Sequence, residues 1–413
     1  MDAYVLDWAN LLLRWTHVIV AIAWIGSSFY FVFLDFSLKP PTDPALRAKG
    51  VDGELWAVHG GGFYNPQKYV VAPPALPEHL HWFYWESYWT WMSGFALFVV
   101  LYLVNADTFL VDRNVHDWSG FAAAATSLVF LVGFWVAYDA ICRVFGPRRH
   151  GDLIVGALVF AVVVLAAWLA CRLFAGRAAF LLTGAMLATA MTANVGHWII
   201  PGQRKVVAQL RAGQPVDPVH GQRAKQRSVH NTYFTLPVLV AMLSNHYGWL
   251  YQARHNWLVL VALMLAGALI RHAFVARHKA KVAGRRVPWE YAGVGVAIIV
   301  AVGLAIAPRE SAEPAAPAAG ASGAAAAVAP APGLVTLAQV QPVIEQRCVI
   351  CHNATLHQKN VELHTPERIQ ANAQLVYQQA VVLKTMPLNN ATQMTDAERA
   401  LVKRWYEGSM RTR

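Results

Sequence analysis

The chain has 413 residues, of which 56% are hydrophobic, 12% aromatic and only 14% charged. This composition is too apolar for an ordinary soluble protein and indicates a polytopic membrane protein. The net charge of +11 does not indicate nucleic-acid binding, because Lys and Arg occur in short loops between apolar runs and not along one solvated face. We therefore expect the chain to contact a lipid membrane and no nucleic acid.

Eight runs of about 20 mostly apolar residues predict membrane-spanning helices. They lie at residues 10–34, 84–104, 121–142, 153–173, 178–200, 232–249, 256–276 and 290–307. The positive-inside rule places the basic loops in the cytoplasm. These loops are residues 35–83, 143–152, 201–231 and 271–289. We therefore expect both termini to face away from the cytoplasm, which for a protein of the bacterial inner membrane is the periplasm. The first residues lack the basic start of a secretory signal, so the first helix is expected to remain.

The chain changes composition after the eighth run. Residues 308–333 are rich in Ala, Pro and Gly, which indicates a flexible linker. Residues 334–413 return to soluble composition and predict a separate small domain. Thr395 and Glu398 match a capping box at the start of its last helix, and Gly408 is predicted to end that helix. The predicted fold class is all-α, with an eight-helix transmembrane bundle at 1–307 followed by a small helical domain.

The segment "RCVICH" in this last domain carries two thiols with two residues between them, followed directly by histidine. This spacing, at Cys348, Cys351 and His352, suits covalent attachment of a c-type haem whose iron binds the imidazole. Met386 in "KTMPLNN" is the expected second axial ligand of the iron. Weaker candidates for that ligand are Met394 and Met410. The alternatives, a redox dithiol or half of a zinc site, lack a βαβ pattern or a second cysteine pair, so we predict one haem c in a cytochrome c domain.

Ionisable residues inside the apolar runs indicate function unless a structural partner explains them. In the first run, Arg14 and His17 share one helix face. Alternatively, Arg14 extends to the interface and His17 bonds a neighbour. The second run opens with "LHWFYWESYWTWMSG" and includes His81 and Glu86. An aromatic belt explains its Trp and Tyr but not Glu86, and such stacking surfaces would suit a flat substrate with amide and carbonyl groups.

Further histidines lie near the ends of the apolar runs. They are His197, His230, His246 and His272. The predicted topology places His17 and His246 toward the outer side, so a haem b bridging these two residues would fit the membrane domain. The alternative is that each histidine is a hydrogen-bonded core residue.

Three long segments resemble a known family. The segments "HGGGFYNPQKYVVAPPALPEHLHWFYWESYWTWMSG", "MTANVGHWIIPGQRKVV" and "AKQRSVHNTYFTLPVLVAMLSNHY" are similar to the membrane-bound urate hydroxylases of the PuuD type. The tail segments "RCVICHNATLHQKNVELHTPERI" and "MPLNNATQMTDAERALV" are similar to the same family. Its members have eight spanning helices followed by a cytochrome c domain, so the resemblance covers nearly the whole chain.

The resemblance implies oxidation of urate to 5-hydroxyisourate, with electrons passing through the fused cytochrome to a respiratory terminal oxidase or a soluble cytochrome c. The site residues implied by motif position are His81, Glu86, Asn194, His230, Asn231 and His246, followed by Arg14, His17, Arg271 and His272. Of these, His81, Glu86 and His230 are candidate bases. Two residues depart from the expected family pattern, His197 in place of an aromatic or aliphatic residue and Asn389 in place of Gly. The first departure weakens a catalytic role for His197.

Two other functions stay open on the sequence. One is a quinol:cytochrome c oxidoreductase, which would be indifferent to urate. The other is a transporter or assembly factor for haem or metal with an attached cytochrome. No Gly-rich nucleotide loop occurs in the sequence, which argues against a flavin or nicotinamide site.

Overall fold

The protein, described here by a computed structural model, is mostly helical, with 72% helix and 4% strand. The described residues are 2–69, 73–112, 115–251, 253–307, 335–354, 361–382 and 384–411. They divide into two compact units, which comprise residues 1–246 with 254–302 and residues 247–253 with 303–413. The predicted linker at 308–333 lies outside the described residues.

Helices occupy the positions of all eight predicted runs. Their bounds are Asp2–Ser37 (α1), Trp85–Phe98 (α3), Gly120–Phe145 (α5), Gly151–Leu173 (α6), Gly176–Ala193 (α7), Pro218–Leu243 (α9), Asn256–Val282 (α11) and Glu290–Ala305 (α12). Shorter helices lie between them at Pro44–Ala48 (α2), Ala106–Phe109 (α4), Ile200–Arg211 (α8) and Gly248–Tyr251 (α10). Wider π-helical turns at Val99–Leu103 and Asn194–Ile199 extend α3 and α7, and a 3-10 turn at Ser244–His246 follows α9.

Several of these helices are long and apolar enough to cross a membrane. They are Trp8–Ser37, Gly120–Phe145, Gly151–Leu173, Gly176–Arg211 and Asn256–Val282. The chain therefore has the helices of a membrane protein. The other three predicted spans are helical but are not among these long apolar helices. The helix α12 is short, and α3 and α9 both begin with a half that is not aliphatic. These three spans and the periplasmic orientation stay predictions.

The core of the first unit surrounds α7. This helix packs against α5, α6 and α9, and its Phe180, Leu182 and Met186 are fully buried. Small residues bring the helices close together: a Cβ on Gly184 of α7 would lie 2.7 Å from the Cβ of Ala241. Such contacts are typical of helix pairs in membranes. By contrast, α1 packs only one side against α3 and α11, and much of its apolar surface is exposed.

The loop at 35–83 contains four short strands that the all-α prediction did not include. They are Val51–Glu54 (β1), Ala57–His59 (β2), Gly62–Tyr64 (β3) and Gln67–Tyr69 (β4). β1 pairs antiparallel with β4, and β2 pairs antiparallel with β3. Gly60 and Gly61 both have positive φ, of 57° and 81°, which allows the tight turn between β2 and β3. Strands of three or four residues are too short for alternation to reveal them in the sequence.

The second unit contains a small helical domain. Its elements are the helices Leu337–Arg347 (α13), Pro366–Ala371 (α14), Ala373–Val376 (α15) and Asp396–Arg411 (α16), a π turn at Tyr377–Val382 and a 3-10 turn at Leu388–Asn390. The apolar core includes Ile344, Val402 and Trp405. The predicted capping box is confirmed, since Thr395 N donates to Glu398 Oε2 at 2.6 Å and Glu398 N donates to Thr395 Oγ1 at 3.2 Å. The predicted stop at Gly408 is wrong, because α16 continues to Arg411; a single glycine costs too little to end a packed helix.

Candidate active site

A chain of hydrogen bonds joins three of the predicted catalytic residues. Asn194 Nδ2 donates to Tyr138 Oη and to Asn231 Oδ1, each at 2.9 Å. Asn231 Nδ2 donates to the Met191 carbonyl at 3.0 Å, and Tyr138 Oη lies 2.8 Å from His230 Nδ1. We call Tyr138, Asn194, His230 and Asn231 the Tyr138 cluster. Three helical elements, α5, the π turn after α7, and α9, hold its members in fixed positions.

Local helix geometry explains how these side chains meet. Asn194 begins the π turn at Asn194–Ile199, and such insertions in α-helices are frequent at functional sites. The helix α9 begins at Pro218 because Asp217 caps it by accepting from Val219 N at 2.9 Å. His230 and Asn231 therefore lie in the middle of a helix, whereas the sequence predicted a loop at 201–231.

Asp139 forms a buried ion cluster beside the Tyr138 cluster. Its Oδ1 accepts from Arg227 Nη2 and from Trp198 Nε1, each at 2.7 Å, and its Oδ2 accepts from Arg143 Nε at 2.6 Å. Arg227 is only 3% exposed, and its guanidinium lies over the ring of Tyr138, 4.9 Å from the centroid. Its Nη1 has no partner among the described atoms. A charged donor is therefore available next to Tyr138.

A cavity of about 1070 Å³ opens beside these residues. Tyr138, His230 and Trp198 line it, as does Phe234. The charged side chains in its lining are Arg143, Asp152, Arg223, Lys225 and Arg227. The surplus of cationic groups favours an anion, and the aromatic rings offer stacking surfaces. The lining therefore suits a planar anionic ligand.

A second group of polar residues lies where α1, α9 and α11 meet. Arg271 of α11 is buried, and the ring of Phe29 of α1 lies 3.6 Å from its Cζ. The next residue, His272, has its Nδ1 2.8 Å from Tyr233 Oη of α9. The ring of Tyr291 lies 4.5 Å from that of His272. We call Arg271, His272, Tyr233 and Phe29 the Arg271 group.

The two histidines expected to ligate a haem b are in different surroundings. His17 Nδ1 lies 3.0 Å from the Thr90 carbonyl and 3.1 Å from Ser93 Oγ. Because a carbonyl only accepts, Nδ1 carries the proton and Nε2 keeps its lone pair, as an axial ligand requires. His246 ends the 3-10 turn after α9 and is exposed. His17 could therefore serve as a ligand of a haem b. No described contact joins His17 to His246, so a haem b that bridges them stays a prediction.

No described contact joins His81 or Glu86 to the Tyr138 cluster. His81 precedes α3, is exposed, and packs its ring against Phe83 at 4.6 Å. Glu86 lies in the first turn of α3, where the helix dipole favours a carboxylate. His197 is exposed, with its ring 5.0 Å from that of Trp135. The catalytic roles of His81 and Glu86 remain untested predictions.

The residues expected to hold a haem c follow α13. His352 Nδ1 lies 3.1 Å from the Val361 carbonyl, so this nitrogen donates and Nε2 is left with the lone pair that an iron ligand needs. Met386 lies before Pro387, and its carbonyl accepts from Arg399 Nη1 at 2.9 Å. Among the weaker axial candidates, Met394 is buried in the domain core. His352 therefore fits an iron ligand, and Met386 as the second axial ligand stays a prediction.

The pKa shifts of the two thiols, Cys348 and Cys351, argue against a redox-active dithiol. Burial raises the pKa of the Cys348 thiol to about 11 and also raises the pKa of Cys351. Redox-active dithiols instead have thiols of lowered pKa. In the parts of the chain that the structure describes, no three His, Cys, Asp or Glu side chains come together as a metal-ion site.

Sequence reasoning missed Tyr138, Asp139 and Arg227. Asp139 carried a signal, because it is an acid within the apolar segment "FWVAYDAICRVF" and ionisable residues in spanning helices indicate function. Arg227 carried a weaker one, since it precedes His230 by three residues and would share its helix face. Tyr138 carried none, because aromatic residues are frequent in such helices.

Comparison with known protein families assigns the chain to a family through its first 307 residues. The model of the family described as "Urate oxidase N-terminal" matches residues 3–307, which include the Tyr138 cluster, the cavity and the Arg271 group. Neither a curated protein nor a solved structure matches the chain. Membership in this family implies an oxidoreductase that acts on urate. Because the match covers most of its length, the chain belongs to the urate oxidase N-terminal family.

Proposed function

We propose that the protein oxidises urate to 5-hydroxyisourate in the cavity beside the Tyr138 cluster, within the bacterial inner membrane, and passes the electrons to a haem c in its periplasmic tail. One observation carries the location of the site: Asn194, Asn231 and His230 meet in a single hydrogen-bonded chain next to a cationic, aromatic cavity. Urate is planar and carries one negative charge near neutral pH. Aromatic rings and a free guanidinium donor therefore match its shape and charge.

The reaction adds the oxygen of one water to urate and releases two protons and two electrons. The pair Tyr138 and His230 is the proposed proton acceptor, because a proton taken up by one can move to the other along their 2.8 Å hydrogen bond. Asn194 donates to the Tyr138 oxygen and so holds it in place. Arg227 Nη1, which has no described partner, would stabilise negative charge on the substrate.

The tail residues supply the electron outlet in this proposal. Cys348 and Cys351 would attach the haem, and His352 and Met386 would bind its iron. A haem c takes up one electron at a time. The terminal acceptor would be a respiratory oxidase or a soluble cytochrome c.

The decisive experiment is anaerobic reduction. Urate is added without oxygen to membranes that contain the full-length protein, and the absorption band of reduced c-type haem is followed. We expect the band to appear in wild type and its rate to fall about 10²-fold or more in Tyr138→Phe and His230→Gln. His220→Gln is the matched control, since His220 lies on the same helix α9 outside the cluster and near Asp217.

The opposite results have distinct meanings. If quinol reduces the haem and urate does not, the protein is a quinol:cytochrome c oxidoreductase and the proposal is wrong. If urate reduces the haem in Tyr138→Phe and His230→Gln as fast as in wild type and in His220→Gln, urate oxidation is supported but the Tyr138 cluster is not its site.

A further inference from the structure

Arg271 is a buried cation without a described counter-ion. It is 7% exposed, and neither its Nε nor its Nη2 has a hydrogen-bond partner. An unpaired buried charge is costly in a protein, and more so among spanning helices. The two unpaired nitrogens lie on the same edge of the guanidinium, where their N–H bonds are parallel. This edge can donate to two adjacent acceptor atoms of one anion.

The surroundings of Arg271 supply a further donor. The ring of Phe29 covers the face of the guanidinium and leaves its edge as the polar surface. Beside it, Tyr233 Oη and His272 Nδ1 share one hydrogen bond. If the hydroxyl donates to Nδ1, then neutral His272 carries its proton on Nε2; if Nδ1 donates, the Tyr233 hydroxyl proton is free. In either arrangement one donor remains, so the group is rich in donors.

The neighbouring helices contain no carboxylate that could neutralise Arg271. α9 and α11 contain neither Asp nor Glu, and α1 contains three acids. Asp2 and Asp7 of α1 lie many turns before Phe29, and Asp35 pairs with Lys68. On α12, Glu290 lies 3.8 Å from Arg286 and is more than half exposed. The anion for Arg271 must therefore come from outside these helices.

We propose that the Arg271 group is a second anion-binding site, which binds a flat organic anion through two adjacent acceptor atoms. A carboxylate has such an edge, and so does the deprotonated imide edge of urate. The site is distinct from the Tyr138 cluster, where Asp139 already neutralises Arg227. Tyr233 belongs to the Arg271 group and also lines the cavity, so the proposed site adjoins the cavity. This inference does not depend on where urate is oxidised.

Binding to the purified full-length protein in detergent tests the proposal, with benzoate as the carboxylate and urate as the imide anion, under anaerobic conditions. Calorimetry and the midpoint of thermal unfolding report binding to the unmodified chain. We expect at least one of the two anions to bind wild type, and its dissociation constant to rise about tenfold or more in Arg271→Lys. Lysine keeps the charge but loses the paired donors. Arg271→Met should abolish this binding, while Arg277→Lys on the same helix should leave it unchanged.

The results separate the sources of the anion. Benzoate binding that depends on Arg271 indicates a carboxylate ligand. If urate binds in an Arg271-dependent way and benzoate does not bind, the anion site is supported. The urate site is then the Arg271 group and not the Tyr138 cluster. A resident anion that is released on denaturation of wild type, but not of Arg271→Met, also supports the site. The proposal is overturned if wild type binds neither anion and releases none, or if the variants bind as tightly as wild type.

Discussion

Arg227 and Arg271 are the two most buried arginines described in the first unit, and their surroundings are opposite. Arg227 donates to Asp139, whose second oxygen binds Arg143, and it lies over the ring of Tyr138. Arg271 also lies over an aromatic ring, that of Phe29, but its Nε and Nη2 have no described partner. The charge of Arg227 is thus paired with a carboxylate of the chain, whereas the charge of Arg271 has no described counter-ion.

This difference separates a positioning charge from a binding charge. A guanidinium held by a carboxylate from a neighbouring helix fixes those helices relative to each other, and it attracts an anion less strongly than an unpaired guanidinium does. A guanidinium without a carboxylate contributes nothing of that kind to the fold and is stabilised only when an anion arrives. The comparison predicts that removing the carboxylate partner of Arg227 mainly lowers the stability of the fold, whereas changing Arg271 itself mainly weakens anion binding.

The largest expected effect comes from Asp139→Asn, which gives Arg227 the surroundings of Arg271. Removing one partner of a buried pair leaves an uncompensated charge, so we expect the free energy of unfolding to fall by about 3–5 kcal/mol. Thermal unfolding of the full-length protein in detergent measures the loss. Asp152→Asn is the control, since Asp152 is exposed and accepts from Gln226.

A double variant tests the cause of that loss. Asp139→Asn combined with Arg227→Gln removes both charges and should recover much of the stability. If the single variant is as stable as wild type, the ion cluster does not hold α5 and α9 together.

A smaller effect is expected in the tail, where a third buried arginine is satisfied by backbone carbonyls. Arg399 is 7% exposed and donates to the carbonyls of Ala380 and Met386 and to Asn390 Oδ1. Arg399→Gln should lower the stability of the tail by about 2–3 kcal/mol, because these acceptors lose a charged donor. Hydrogen exchange of tail peptides in the full-length protein measures this loss.

The same variant tests whether Arg399 positions Met386. In the proposed haem c with Met386 as a ligand, Arg399→Gln should also weaken the near-infrared absorption band of the Met-ligated ferric haem, since Arg399 holds the Met386 carbonyl. Arg404→Gln, at an exposed position of α16, should change neither quantity. An unaltered band in Arg399→Gln would remove Arg399 from the support of the axial ligand.

Giving Arg271 a carboxylate of its own should sharpen the comparison. In Phe29→Glu, the new side chain replaces the ring that lies 3.6 Å from Arg271 Cζ. We expect the dissociation constant of the anion to rise about tenfold or more, because the site is then neutralised from within. The free energy of unfolding should change by about 1 kcal/mol, since a new ion pair offsets the lost aromatic contact. Phe29→Leu should retain the binding, and equal binding in Phe29→Glu would contradict the anion site.

The helices were largely predictable from the sequence because a spanning segment must satisfy its backbone within a long apolar run. Where helical structure extends beyond the apolar residues, the prediction was wrong. The helix α9 begins at Pro218, fourteen residues before the predicted run, because a capped, polar half-helix carries no apolar signal. The strands β1–β4 were missed for the related reason that they are too short to show a pattern.

The candidate site was predictable only in part. Asn194, His230 and Asn231 were named from motif similarity, yet nothing in the sequence said that they share hydrogen bonds through Tyr138. Those bonds depend on how three helices pack, and the sequence separations of 37 to 92 residues are invisible to local patterns. The unpaired edge of Arg271 could not be predicted either, because it results from the absence of a carboxylate or other acceptor on the helices packed around it.

The smallest expected effect concerns an ion pair at the edge of the tail core. Glu398 accepts from Arg347 Nη2 at 3.0 Å and from Thr395 N at 2.6 Å. Burial alone would raise the pKa of this carboxyl, but the hydrogen bonds from Thr395 and Arg347 and the charge of Arg347 lower it overall. A carboxyl whose pKa is lowered on folding contributes its full stability above the unfolded pKa of about 4.3 and loses it as the pH falls through the folded value.

The stability of the tail should therefore decrease more steeply with acid in wild type than in Glu398→Gln, which cannot titrate at this position. Hydrogen exchange of tail peptides between pH 6 and pH 3 measures the difference, corrected for the intrinsic exchange rate at each pH. We expect at most about 1 kcal/mol, because solvent screens this partly exposed pair. Equal slopes in the two proteins would contradict the assigned pKa shift. Glu398 and Asp139 both bind arginine, so the smaller effect at Glu398 follows from its greater contact with water, the same variable that makes the unpaired charge of Arg271 costly.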